Sequence, residues 1–114
     1  MVLTLMLVAT LMSAGNASAK GFTSCSPVKT TINGKKYVIA IKVKTKGMSC
    51  GATAAFWIAF ATGEPGSERT EDLRTNCKLG SKATQKAAEK KGRSSYVCRS
   101  SDRKIVAKAW VLGG

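Results

Sequence analysis

Val28-Lys29-Thr30-Thr31-Ile32-Asn33-Gly34-Lys35-Lys36-Tyr37-Val38-Ile39-Ala40-Ile41-Lys42-Val43-Lys44 reads as a β-hairpin. Asn-Gly accepts positive φ at both central positions, as a type I′ turn requires, and alternating β-branched residues flank it. A two-residue loop sets Ile32 opposite Lys35, Thr30 opposite Tyr37 and Val28 opposite Ile39. Strict alternation then gathers Val28, Thr30, Ile32, Tyr37, Ile39, Ile41 and Val43 on a core face. The opposite face carries Lys29, Thr31, Lys36, Val38, Ala40, Lys42 and Lys44, a basic outer surface on a half-solvated sheet.

Downstream, Cys50 to Ala61 is apolar apart from Thr53, with Ser49 placed to cap its start and Gly63 and Pro65 to stop it, which predicts a buried helix. At 100° per residue Phe56, Phe60, Trp57, Cys50, Ala54 and Ile58 share a broad arc expected to lie on the sheet. Cys50 falls in the middle of that arc. Ala52, Ala55 and Ala59 form a smooth strip on the other side, open to close approach by a helix or loop. About a dozen residues are too few to span a bilayer, which takes about 20.

Thr70 followed by Glu71-Asp72 predicts a short capped helix ending near Gly80. Ser81 caps a further helix to Lys91, stopped by Gly92. Leu79, Ala83, Ala87 and Ala88 give that second helix only a thin apolar stripe, whereas Lys82, Lys86 and Lys90 recur every four residues as a ridge. A second hairpin is expected from Ser95 to Arg99 and from Lys104 to Leu112. In it Ile105, Ala107, Ala109 and Val111 face the core and Lys104, Val106, Lys108 and Trp110 face away. The predicted fold class is α+β: two antiparallel β-hairpins form one sheet packed on a buried central helix, with a second lysine-rich surface helix and disulfide staples.

Upstream, residues 1–19 carry no charge, run apolar from Val2 to Met12 and end in small residues with Ala17 and Ala19 at −3 and −1 before Lys20. This is the pattern of a cleaved export signal, although the usual basic residue at its start is missing. A single small secreted domain is expected over 20–114, in the cell envelope or outside the cell. Cys25, Cys50, Cys77 and Cys98 all follow the cleavage point, an even count that reads as two disulfides. Three pairings are open, and the shorter loops favour Cys25 with Cys50 and Cys77 with Cys98. Zinc is a poor alternative, because no Cys-x-x-Cys pair occurs and the chain has no histidine.

The absence of histidine also removes the usual general base near neutral pH and most nucleophile–base pairs. An enzyme would need an acid pair such as Glu71 with Glu89, whereas acids in a first helical turn usually just complement the helix dipole. No cofactor, metal or catalytic residue is expected. The order of a cysteine, a Gly-turn hairpin, Ser49-Cys50-Gly51-Ala52-Thr53-Ala54, Cys77 and Val97-Cys98-Arg99 resembles small secreted bacterial domains of uncharacterised function, in which a Ser-Cys-Ala-Thr-Ala-like helix start follows such a hairpin. Here Gly51 interrupts that start, and Ala55 and Phe56 stand where the pattern commonly has arginines. The resemblance implies export and fold, and no activity.

Nineteen Lys and Arg against six Asp and Glu leave a net charge of +13, and a field of that sign favours anionic partners. The expected function is recognition of an anionic partner, whether a cell-envelope polymer, nucleic acid, acidic lipid or acidic protein. The candidate contacts are Lys29, Lys36, Lys42 and Lys44 on the first hairpin, Lys82, Lys86 and Lys90 on the helix, and Lys108 with Trp110 on the last strand. The alternative is a secreted cationic effector, either antimicrobial or an enzyme inhibitor.

Overall fold

Asn33 and Gly34 adopt φ of 52° and 81°, the left-handed pair a two-residue hairpin loop demands. They join β2 (Val28–Ile32) to β3 (Lys35–Lys46). The computed structural model describes residues 21–112, so the expected leader over 1–19 lies outside the described residues. β1 (Thr23–Cys25) precedes the hairpin. After it come α1 (Cys50–Thr62), α2 (Glu68–Thr75), β4 (Cys77–Leu79), α3 (Lys82–Glu89), β5 (Arg93–Arg99) and β6 (Val106–Leu112). The architecture is α+β, with one antiparallel sheet of six strands and, among the described residues, three helices. The sheet runs β1-β3-β6-β5-β4, and β2 also pairs with β3. The β3–β6 ladder thus fuses the two hairpins into one sheet.

Strict alternation fails twice in β3. Val28 pairs with Ala40 while Lys29 pairs with Val38, leaving Ile39 as an extra residue. Farther on, Ile41 pairs with Trp110 and Lys44 with Lys108, and Lys42 in the gap has φ 53°. Each bulge adds one residue and inverts the faces beyond it, so the second cancels the first. Only Ala40 and Ile41, between the two, are swapped relative to the expected faces. Ala40, expected outside, is fully buried, and Ile41 shares the outer face with its partner Trp110. Tyr37 keeps the inner parity but is 37% exposed, because it lies near the hairpin tip.

α1 lies against the inner face. Ser49 Oγ accepts from Ala52 N at 3.0 Å at its start, and Gly63, at φ 75°, closes its end by donating to the Ala59 carbonyl. Phe56, Trp57 and Thr53 are buried, and the Thr53 hydroxyl donates to the Ser49 carbonyl at 2.8 Å. Phe56 and Trp57 pack with Val28, Ile39, Ala40, Val43, Ala107, Ala109, Val111 and Leu73. Each large side chain withdrawn from water there contributes about 1.5–3 kcal/mol. Phe60, edge-on to Trp57 at 5.2 Å, extends the cluster to Tyr96 at 5.0 Å. Among the described residues the Trp57 indole N–H finds no hydrogen-bond partner.

Three local expectations are corrected. The helix after Gly66 is Glu68–Thr75, capped by Ser67 rather than Thr70, and it stops before Gly80 because Cys77–Leu79 is a strand. A three-residue strand is too short to show a period of two. Cys50 is exposed rather than central in the buried arc: it opens the first turn of α1, where its bridge to Cys25 clips the helix to the short edge strand β1. The alanine strip lines an open groove towards α2 rather than a tight helix contact. The disulfides are Cys25–Cys50 and Cys77–Cys98, the shorter-loop pairing, and the second ties β4 to β5 at directly paired positions. Such bridges are typical of an oxidising compartment.

Candidate functional site

Residues directly opposite in a ladder point to the same side of a sheet. One such row crosses the outer face through Ser24, Lys44, Lys108, Val97 and Lys78, one residue from each of β1, β3, β6, β5 and β4. Strand spacing of about 4.8 Å makes the row about 19 Å long. Lys44 and Lys108 are immediate cross-strand neighbours at its centre. Parallel to it run Lys46, Val106 and Arg99 on one side and Ile41, Trp110 and Ser95 on the other.

No described strand contains an aspartate or glutamate. The acids sit elsewhere: Glu68, Glu71 and Asp72 on α2, Glu89 on α3, and Glu64 and Asp102 in loops. Among the described residues the one ion pair is Arg74 with Glu71, at 3.5 Å on α2. Three lysines of this side, Lys42, Lys46 and Lys108, have aromatic neighbours instead. Lys108 Nζ stands 4.3 Å from the centre of the Phe22 ring, Lys46 Nζ 5.9 Å from the same ring and Lys42 Nζ 5.8 Å from that of Trp110. Exposed contacts of this kind contribute about 0.5–1 kcal/mol each.

Lys42 reaches Trp110 from the left-handed backbone of the second bulge. That conformation costs a residue with a Cβ about 1–2 kcal/mol, and bulges re-aim the side chain they carry. Lys42, Lys44, Lys108 and Trp110 line one groove of about 500 Å³, with Val97 in its floor and Ser81, Thr84 and Ser95 along the side. α3 forms that side because it covers the stretch of β5 that β4 leaves open: Gly80 N donates to the Ser95 carbonyl at 3.0 Å, and Ser95 N donates to Gln85 Oε1 at 2.9 Å. Across Val97, Lys78 joins Arg99, Arg103, Asn76, Ser100 and Ser101 around a second groove of about 440 Å³. Neither groove has an acidic residue in its lining.

The sequence candidates thus divide. Lys42, Lys44, Lys108 and Trp110 come together. Lys29 and Lys36 keep the outer parity but lie towards the β2–β3 tip, outside the groove. Lys82, Lys86 and Lys90 are exposed on α3 and line no part of it. Phe22, Lys46 and Lys78 were not among the candidates. Continued alternation from Lys42 and Lys44 would have found Lys46, whereas Phe22 precedes β1 and Lys78 sits in the three-residue β4, so neither carries a periodic signal.

A larger groove, about 840 Å³, lies between α1 and α2 and is lined by Ala52, Ala55, Phe56, Glu68, Asp72, Asp102 and their neighbours. Its aspartates already hold the structure together. Asp72 accepts from the Ser101 hydroxyl and from Ser101 N at 2.9 Å; Asp102 accepts from the Ser100 hydroxyl at 2.6 Å and from Lys104 N at 2.9 Å. These bonds, the serine hydroxyl first in each case, hold both carboxyls below their ordinary value of 3.8. Size alone does not make this groove the site, since both of its aspartates are held by the serines of the β5–β6 loop. No group of metal-ligating side chains occurs among the described residues, and no described helix is long and apolar enough to cross a membrane. Comparison with known proteins finds no matching family model, no matching curated protein and no matching solved structure, so the reading of the site rests on its own geometry.

Proposed function

We propose that the protein is an exported anion-binding domain whose outer sheet face holds a polyanion, with Lys44 and Lys108 as its central contacts and Lys42, Lys46 and Lys78 around them. The placement of Lys44 directly opposite Lys108 carries this reading. The register sets the two lysines side by side on one face, and like charges directly opposite each other destabilise a sheet. A bound anion turns that repulsion into attraction for both ammonium groups, which act as point charges on phosphate or carboxylate. A row about 19 Å long suits a polymer better than a single ion. The leader over 1–19 and the two disulfides support a place of action outside the cytoplasm.

The test is binding of the disulfide-bonded protein to inorganic polyphosphate over a range of salt. The double variant Lys44→Gln/Lys108→Gln should weaken binding and flatten the log–log salt slope by about 1.4, at about 0.7 per charge for a single-stranded polyanion. Lys82→Gln/Lys86→Gln/Lys90→Gln serves as the comparison and should change the slope less. If only the helix triple flattens it, the ridge on α3 is the contact and the sheet reading fails. If neither does, the charge is a solvated surface.

A further inference from the structure

Resting on that reading, we propose that the polyanion is a single-stranded nucleic acid, and that the groove beside Trp110 receives one of its bases while Lys42, Lys44 and Lys108 hold the flanking phosphates.

Three observations select this chemistry among polyanions. The first is the interleaving of flat rings with ammonium groups on one face: Phe22 beside Lys46 and Lys108, and Trp110 beside Lys42. Single-strand binders combine a basic track for the backbone with aromatic platforms for the bases, because every base has a π-face whatever its sequence. A bare polyphosphate would use the lysines and leave the rings idle. The second is the set of polar groups in the groove. Besides lysines its polar side chains are the hydroxyls of Ser81, Thr84 and Ser95 and the indole N–H of Trp110, with no carboxylate, carboxamide or guanidinium, and the Ser81 hydroxyl is already donated to that of Thr84 at 2.9 Å. That set lacks the bidentate carboxylate, carboxamide and guanidinium groups that fix sugar hydroxyls or read base edges, so it fits phosphate charges and a stacked ring without sequence preference. The third is the backbone of Lys42, held left-handed at φ 53° so that its side chain reaches the Trp110 ring. A base stacking on Trp110 takes over that ring face, and the ammonium moves the short distance to the adjoining phosphate.

The sheet also favours a single strand over a duplex. The row from Lys44 through Lys108 to Lys78 runs perpendicular to the strands over a shallow surface, and no described helix or hairpin tip bearing these residues projects to enter a major groove. An extended strand can instead follow the row from the Trp110 groove, across Val97, into the groove of Lys78, Arg99 and Arg103.

The experiment compares three probes with the mature protein: an oligothymidylate of about 12 nucleotides, a length within the site sizes of small single-strand binders, inorganic polyphosphate of similar charge, and heparin. Oligothymidylate should quench tryptophan fluorescence, and polyphosphate should not. Trp57 is fully buried, so the quenching reports Trp110. Trp110→Ala should weaken oligothymidylate binding about tenfold, the loss of roughly one stacked base, and leave polyphosphate binding within about twofold. The quenching measurement uses the unaltered chain and so does not depend on the variant folding. Oligothymidylate binding without quenching, or an equal effect of Trp110→Ala on all three probes, overturns the stacking proposal while leaving the polyanion face intact. Tighter, Trp110-dependent binding of heparin assigns the groove to an anionic glycan and likewise overturns it. If no probe binds in a manner that depends on Lys44 and Lys108, the underlying polyanion reading itself has failed.

Discussion

Lys42 bridges to Trp110 across the β3–β6 bulge: its Nζ lies 5.8 Å from the indole centre, and its backbone sits at φ 53°. A lysine there is strained, whereas glycine adopts the same conformation freely. If the face binds a polyanion as proposed, binding and stability pull in different directions at this strained residue, whose side chain reaches the face's one tryptophan.

Lys42→Gly should therefore raise stability by up to about 1 kcal/mol, the relief of left-handed strain less the extra freedom of glycine in the unfolded chain. It should at the same time weaken polyanion binding. Urea unfolding and a binding titration on the same sample check both signs; a destabilised variant would show that the cation–aromatic contact outweighs the strain.

The two disulfides should lower the intact mass by four hydrogens relative to the reduced chain. Their pairing, Cys25–Cys50 and Cys77–Cys98, should appear in a non-reduced peptide map. Removing either bridge by a Cys→Ser pair should cost about 2–4 kcal/mol, a large part of the stability of a chain this small. A map linking Cys25 to Cys77 or Cys98 would contradict the β4–β5 register.

Within the core, Trp57→Ala should cost about 3–5 kcal/mol by leaving a cavity where the side chain is fully buried. Trp57→Phe should cost distinctly less. The indole N–H it removes has no partner among the described residues, so the lost volume is partly offset by deleting a buried, unsatisfied donor. Thermal melts of the two variants decide this, and equal losses would mean that the N–H is hydrogen-bonded in solution.

Acid should loosen the junction of α2 with the β5–β6 loop. Asp72 and Asp102 have folded-state values depressed below 3.8 by the hydroxyl and backbone donors of Ser100, Ser101 and Lys104. Their contribution is thus fully present above the unfolded value and is lost as pH falls through the lower folded values. Urea midpoints at about pH 6 and about pH 3 should differ less for Asp72→Asn/Asp102→Asn than for the unaltered chain. An identical acid loss in both would place the sensitivity elsewhere.

Both hairpins, the buried helix and its caps, and the pairing of the cysteines were legible in the chain because they depend on local chemistry. Asn33-Gly34 dictates its turn, Ser49 and Gly63 bound α1, and short loops favour the bridges that form. The basic balance was legible too, in nineteen basic against six acidic side chains. The tertiary structure alone decided which charges meet. Two bulges in β3, which no periodicity announces, put Ala40 inside and Ile41 outside, and turn Lys42 towards Trp110. Lys44 and Lys108, 64 positions apart by their numbers, become neighbours only through the β3–β6 register; Phe22 joins them from just before β1, and Lys78 from a strand too short to show a pattern. Alternation along a strand is a local property that sequence carries. Register between strands distant in the chain is set by the packing of the whole sheet on α1, and it is this register that brings the residues of the candidate site together.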